Sequence, residues 1–121
     1  MSKRILIIED QEDNRQIIHD VLGANGYESL EAISGEEGLT IAAREKPDLI
    51  LMDIQLPGMD GYEVTRRIKA NAALKHIPII AVTSYALSGD DQKAFDAGCD
   101  GYVTKPVSPR MLLSKIREYL R

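Results

Sequence analysis

Leu49-Ile50-Leu51-Met52-Asp53 is a run of four large apolar residues closed by a carboxylate. Side chains along a strand point alternately to its two faces, so a strand stays apolar throughout only when both faces are covered. Two other runs share this character. Ile5-Leu6-Ile7-Ile8 leads into Glu9-Asp10, and Ile79-Ile80-Ala81-Val82 leads into Thr83. Tyr27 to Ala32 and Gly101 to Thr104 are shorter or more polar, as strands at the margin of a sheet should be, and the second runs into Lys105. Each of these ends carries a side chain able to do chemistry, except that of the polar segment at Ala32.

Amphipathic stretches lie between the strands. Ile17, Ile18, Val21 and Leu22 form a helical stripe that stops at Asn25-Gly26. Ser34-Gly35-Glu36-Glu37 reads as a capping box opening a second helix, and Pro47 closes that region. Asp60-Gly61-Tyr62-Glu63 opens a third helix, with Val64 and Ile68 turned inward. Ser88-Gly89-Asp90-Asp91 opens a fourth, ended by Gly98. Ser108 and Pro109 open a fifth, carrying Leu112, Leu113, Ile116 and Leu120.

Five alternations of strand and helix predict an α/β fold with a parallel sheet covered on both faces. Right-handed crossovers leave few windings, and polar second and fifth strands belong at the edges. The pattern resembles the flavodoxin-like (βα)5 doubly wound sheet, and its strand order, 2-1-3-4-5, is the expectation taken over from that fold. Its chain reversal lies between the first and third strands, where such folds bind ligands outside the carboxyl ends. Asp10 and Asp53 stand at those two ends.

With 121 residues, the chain is read as one domain over residues 1–121. A formal net charge of −4, with no basic stripe interleaved with aromatics, argues against direct binding of nucleic acid. No apolar run approaches membrane-spanning length, and the opening Met-Ser-Lys-Arg precedes too short an apolar run for a secretory signal. Cys99 is the single cysteine, so no internal disulfide forms; a reducing cytoplasm is the expected setting, and the thiol reads as a buried filler. His19 and His76 stand alone and read as surface or packing residues.

Glu9, Asp10 and Asp53 gathered at one sheet edge would repel one another. A hard divalent cation removes that repulsion, and Mg²⁺ takes oxygen ligands from one or two carboxylates with water and phosphate oxygens completing the shell. Asp10 and Asp53 are read as direct ligands, Glu9 as direct or water-mediated, and the backbone carbonyl of Gln55 as a further oxygen. Acids before a helix also serve as N-caps, which explains Glu9 and Asp10 as readily but not Asp53, since the next helix opens only at Asp60. Lys105 would otherwise be an ordinary solvated lysine; here the sheet edge points its ammonium at the carboxylates, where it would hold Asp53 and later pair with a phosphoryl oxygen. Thr83 offers a hydroxyl at the same edge, and Lys105–Pro106 is a candidate cis bond.

The chain resembles the receiver domain of two-component response regulators, the CheY-like family. The resemblance rests on Glu9-Asp10, on residues 47–61 around Asp53, on Thr83-Ser84 and on Tyr102-Val103-Thr104-Lys105-Pro106. It implies that Asp53 is the phosphoacceptor, that Mg²⁺ sits on Glu9, Asp10, Asp53 and Gln55, and that Thr83 and Lys105 bind the phosphoryl group. It also implies that Thr83 and Tyr102 form the switch, and that Gln55 and Tyr85 tune phosphoryl lifetime. Tyr85 is expected to overhang the site and slow self-dephosphorylation.

The implied donor is a sensor histidine kinase or a histidine phosphotransfer protein, with Glu12, Asp13, Asn14 and Arg15 facing it. The implied output is a downstream protein target bound through the face of the fourth helix, fifth strand and fifth helix, in a monomer or weak dimer. Such a protein catalyses only its own phosphorylation and dephosphorylation. A Met1 start and an end just past the fifth helix favour a stand-alone regulator of the CheY or DivK type over a receiver cut from a hybrid kinase or longer regulator. Two rival chemistries fit less well. An aspartyl-phosphate hydrolase of the haloacid dehalogenase type needs an acid where Gln55 stands, and a flavodoxin-like FMN carrier needs a hydroxyl-rich loop where Glu9-Asp10-Gln11-Glu12-Asp13 stands. An unphosphorylated scaffold would have had no need of Asp53 or Lys105.

Overall fold

A computed structural model describes residues 2–84 and 90–120. Its elements alternate as expected: β1 (Arg4–Ile8), α1 (Glu12–Ala24), β2 (Glu28–Ala32), α2 (Gly35–Glu45), β3 (Leu49–Asp53), α3 (Gly61–Ala70), β4 (Ile79–Thr83), α4 (Asp90–Ala97), β5 (Gly101–Thr104) and α5 (Pro109–Tyr119). All strand pairs are parallel, and the sheet order is β2-β1-β3-β4-β5. Ser88 and Tyr85 lie outside the described residues.

The continuous apolar runs divide between two cores by strict alternation. Leu6, Ile8, Ile50 and Met52 face α2, α3 and α4 through Ala42, Val64, Ile68 and Ala94. Ile5, Ile7, Leu49, Leu51, Ile80 and Val82 face α1 and α5 through Ile18, Leu22, Leu112 and Ile116. Burying four such side chains per central strand is worth roughly 1.5–3 kcal/mol each, and it fixes register, because a slip by one residue would exchange the two faces.

The helix starts follow the capping chemistry. Ser34 accepts from the Glu37 amide at 3.2 Å, while the Glu37 carboxylate reaches back to the Ile33 amide at 2.8 Å, one residue before the cap, so only the Ser34 half of the expected capping box forms. Asp60 caps α3 by accepting from the Glu63 amide, and Ser108 caps α5 ahead of Pro109. Some expectations need adjustment. The second strand begins at Glu28, not Tyr27. Ile17 is 48% exposed, so the α1 stripe reaches the core through Ile18 and Leu22, with Val21 half-buried beside them. Leu113 is half-buried and Leu120 lies just past the end of α5, where it still packs against that core.

Gly61 lets α3 start directly against the end of β3. A Cβ there would sit 2.5 Å from the Asp53 carbonyl oxygen and 2.7 Å from the Ile54 Cα, both backbone atoms that cannot turn aside. Gly23 in α1 has nothing within 4 Å of such a Cβ. Gly61→Ala should therefore destabilise the fold by about 1–3 kcal/mol, whereas Gly23→Ala should stabilise it by up to about 1 kcal/mol. Urea unfolding midpoints of the two variants check this; equal shifts of the same sign would refute it.

Candidate functional site

The carboxyl ends of β1 and β3 lie side by side, since Ile8 pairs with Met52. The next residues on each chain are therefore acids from different parts of the sequence. Glu9, Asp10 and Asp53 each place a carboxylate oxygen within 4.8 Å of the others. Glu9 and Asp53 are buried and Asp10 is half-buried, so the cluster opens outward past Asp10.

Asp53 is held at both oxygens. Its Oδ1 accepts from the Gln55 backbone amide at 3.0 Å, and its Oδ2 lies 3.3 Å from Lys105 Nζ. Lys105 reaches the cluster because its own amide donates to the Thr83 carbonyl, one step past the end of β5, and the following Lys105–Pro106 bond is cis. Thr83 is buried at the end of β4, one residue beyond the Asp53–Val82 pair. Gln55 is exposed. Tyr102 meets Phe95 of α4 edge to face, with ring centroids 5.9 Å apart. The cluster thus unites Glu9, Asp10, Asp53 and Lys105, with Gln55 and Thr83 adjoining it; Tyr102 lies two pairs back along β5, against α4.

Glu9 was read as a metal ligand or a helix cap. The α1 cap position is Gln11, which makes no side-chain capping bond, so neither Glu9 nor Asp10 serves as the N-cap. Glu9 Oε2 instead accepts from the Gln11 amide at 3.0 Å, while Oε1 faces Lys105 Nζ at 3.0 Å. Among the described residues Oε1 has no well-aligned donor, and the Lys105 ammonium lies against it as an ion pair. The sequence pointed Lys105 at the carboxylates and gave it Asp53 to hold; the structure adds Glu9 as its nearer partner. The signal for that partner was the adjacency of Glu9 to Asp10.

Lys105 pairs with two of the three carboxylates, Glu9 and Asp53, and the protonation equilibria respond. Burial, together with the hydrogen bond and charge of Asp53, pushes the Glu9 carboxyl up to about 7, against the Gln11 amide and Lys105, which favour its ionised form. Burial disfavours the Lys105 ammonium, but Glu9 and Asp53 outweigh it and hold its pKa above the ordinary value. A hard oxygen donor set, a buried carboxylate oxygen without an aligned donor and a deficit of positive charge together fit a small divalent cation. Elsewhere, burial raises the Cys99 thiol to about 11, so it is an inert filler as expected. His19 and His76 are both exposed.

Arg15, expected to face a partner, is turned inward and only 17% exposed. Among the described residues, no helix is long and apolar enough to cross a membrane.

Known proteins share this sequence pattern and fold. A sequence profile of the response regulator receiver domain matches residues 5–117. The chain is 44% identical to the polar-differentiation response regulator DivK of Brucella ovis, over 99% of this chain and 98% of that one. A solved chain from Chloroflexus aurantiacus superposes with a TM-score of 0.96 at 31% identity, covering 99% of this chain and 98% of that one. The receiver domain of a sensor histidine kinase from Pseudomonas aeruginosa, solved with a magnesium ion in its active-site cleft, gives 0.92 at 34% identity and 98% coverage of both chains.

Because Glu9 titrates higher in the fold than in the unfolded chain, its contribution favours folding fully below pH 4.5 and is lost as pH rises through about 7. In chelator, Glu9→Gln should therefore gain stability relative to the parent between about pH 5 and about pH 8, by on the order of 2 kcal/mol. Urea unfolding of both proteins across that range is the test. A constant difference would mean that Glu9 carries no such penalty.

Proposed function

The chain belongs to the response regulator receiver domain family of two-component signalling, and on that footing we propose that Asp53 accepts a phosphoryl group from a phosphohistidine on a sensor histidine kinase or a histidine phosphotransfer protein. The observation that carries this reading is the meeting of Asp53 with Glu9, Asp10 and Lys105 at one sheet edge.

Asp53 is the nucleophile. Its carboxylate is buried, so few waters compete for it, and the Gln55 amide and Lys105 fix its orientation before the donor arrives. An Asp53 oxygen–phosphorus bond forms as the phosphorus–nitrogen bond to the donor histidine breaks, the departing imidazole keeping its electron pair. When bound, magnesium supplies positive charge against the oxygens of the group in transfer. Asp10 and Asp53 would hold it directly, Glu9 directly or through water, and the Gln55 carbonyl as a further oxygen. Lys105 pairs with a phosphoryl oxygen after transfer, and the Thr83 hydroxyl donates to another.

The output is a population shift. Thr83 drawn toward the phosphoryl group frees space into which Tyr102 turns, changing the face of α4, β5 and α5 that binds a downstream protein. Two features of that face support the choice: the Phe95–Tyr102 contact and a surface pocket of ≈ 290 Å³ lined by Tyr102, Thr104, Pro106, Met111 and Lys115 among others. The protein acts as a monomer or weak dimer, and its catalysis is confined to its own phosphorylation and dephosphorylation.

Incubation with acetyl phosphate and Mg²⁺, followed by intact mass measurement, is the test. The parent should gain the mass of one phosphoryl group and Asp53→Asn none; label on both, or on neither, overturns the assignment. In the same assay Tyr85→Ala should lose its label faster than the parent, and an unchanged rate would remove Tyr85 from the lifetime role.

A further inference from the structure

The Arg15 guanidinium turns away from solvent, back over the turn between β1 and α1. Its Nη1 donates to the Glu9 carbonyl at 3.1 Å and more weakly to the Asp10 carbonyl at 3.5 Å. Its Nε donates to Glu31 of β2 at 3.1 Å, which anchors the guanidinium to the edge strand. Arg15 is tied to the same turn through its backbone, whose amide donates to the Gln11 carbonyl. Gln11 in turn donates its amide to Glu9 Oε2 and its side-chain nitrogen to Asp10 Oδ2, at 3.0 and 3.3 Å.

These bonds close on one another. The turn that bears two of the three carboxylates is held on its carbonyl side by Arg15 and on its carboxylate side by Gln11. Past Ile8 the turn has little sheet to support it: β1 and β2 register ends at Ile8–Ala32, and the remaining link is the Glu9 amide on the Ala32 carbonyl. We propose that Arg15 is a positioning residue for the divalent-cation site, presetting the Glu9 and Asp10 carboxylates through their peptide carbonyls. The inference rests on the metal-dependent reading above.

Two opposed effects decide what Arg15 does. As a cation folded over that turn it repels a second cation, so by charge alone its removal should tighten metal binding. As a clamp it spares the site the cost of ordering two peptide units, and Mg²⁺ tolerates little departure from octahedral geometry. The clamp dominates, because Arg15 spends its charge on Glu31 and on the two carbonyls. Outer residues that orient metal ligands commonly matter by about 10–100-fold in affinity.

Calorimetric titration with MgCl₂ separates the two. Arg15→Met should weaken magnesium binding by about 10-fold, and Arg15→Lys should recover little of the loss, since a lysine keeps the charge without the planar fork. Glu31→Gln should weaken it in the same direction but less. In metal-free NMR spectra of the Arg15 variants, the Gln11 amide resonance should move while amides of β4 and β5 stay in place, which a general loss of stability would not produce. Unchanged or tighter binding in Arg15→Met, beside a parent that binds magnesium, overturns the clamp alone. A parent that takes no magnesium overturns this inference together with the metal-dependent reading.

Discussion

Like charges crowded at the end of a sheet are the constraint around which this protein is built. Three carboxylates share a space of 4.8 Å, two of them buried, with a single ammonium against them. Left alone, that arrangement works against folding, as the upward displacement of Glu9 records. It persists because the surrounding structure leaves it no alternative. Glu9 and Asp53 follow strands whose apolar side chains are locked into cores on both faces, and neither strand can slip without exchanging those cores. Stability supplied by the sheet is thus converted into a local deficit of positive charge, which fits a small divalent cation.

The scaffold also divides the labour of holding the site. β1 and β3 deliver the acids, β4 delivers Thr83, and the turn after β5 delivers Lys105. Fine orientation comes from elsewhere: the Gln55 amide for Asp53, the Gln11 amide for Glu9 and the Arg15 guanidinium for the turn that carries Glu9 and Asp10. The far end of the sheet has its own fastening. There Lys69 donates to the Ile77 carbonyl and to Asp100, while Asp100 accepts from the Ile79 amide and its carbonyl accepts from Tyr119. That network ties the starts of β4 and β5 to the ends of α3 and α5, leaving the opposite edge for chemistry.

Much of this was legible in the chain because period and composition act locally. Continuous apolar runs announced doubly covered strands, and Ser34, Asp60 and Ser108 announced helix starts that their side chains do cap. The acids were legible as a cluster because a parallel sheet leaves strand ends nowhere else to go. Long-range pairing was not. The sheet edge points Lys105 at the carboxylates but does not say which of them it will lie nearest, and the periodicity that grouped Ile17 with the core does not register that α1 turns that side chain toward solvent. Arg15 was misjudged for a related reason. Position on a helix is periodic, but a long side chain can fold back across the turn that precedes it. Such contacts depend on where β2 sets Glu31, a fact of tertiary structure alone.

The most direct examination of the acid centre is crystallography with Mn²⁺ in place of magnesium, locating the ion by its anomalous scattering. The predicted result is one strong peak bonded to the carboxylates of both Asp10 and Asp53, with Lys105 still beside Asp53. A peak bound elsewhere, or none at saturating Mn²⁺, would contradict a cation-holding site at the strand ends.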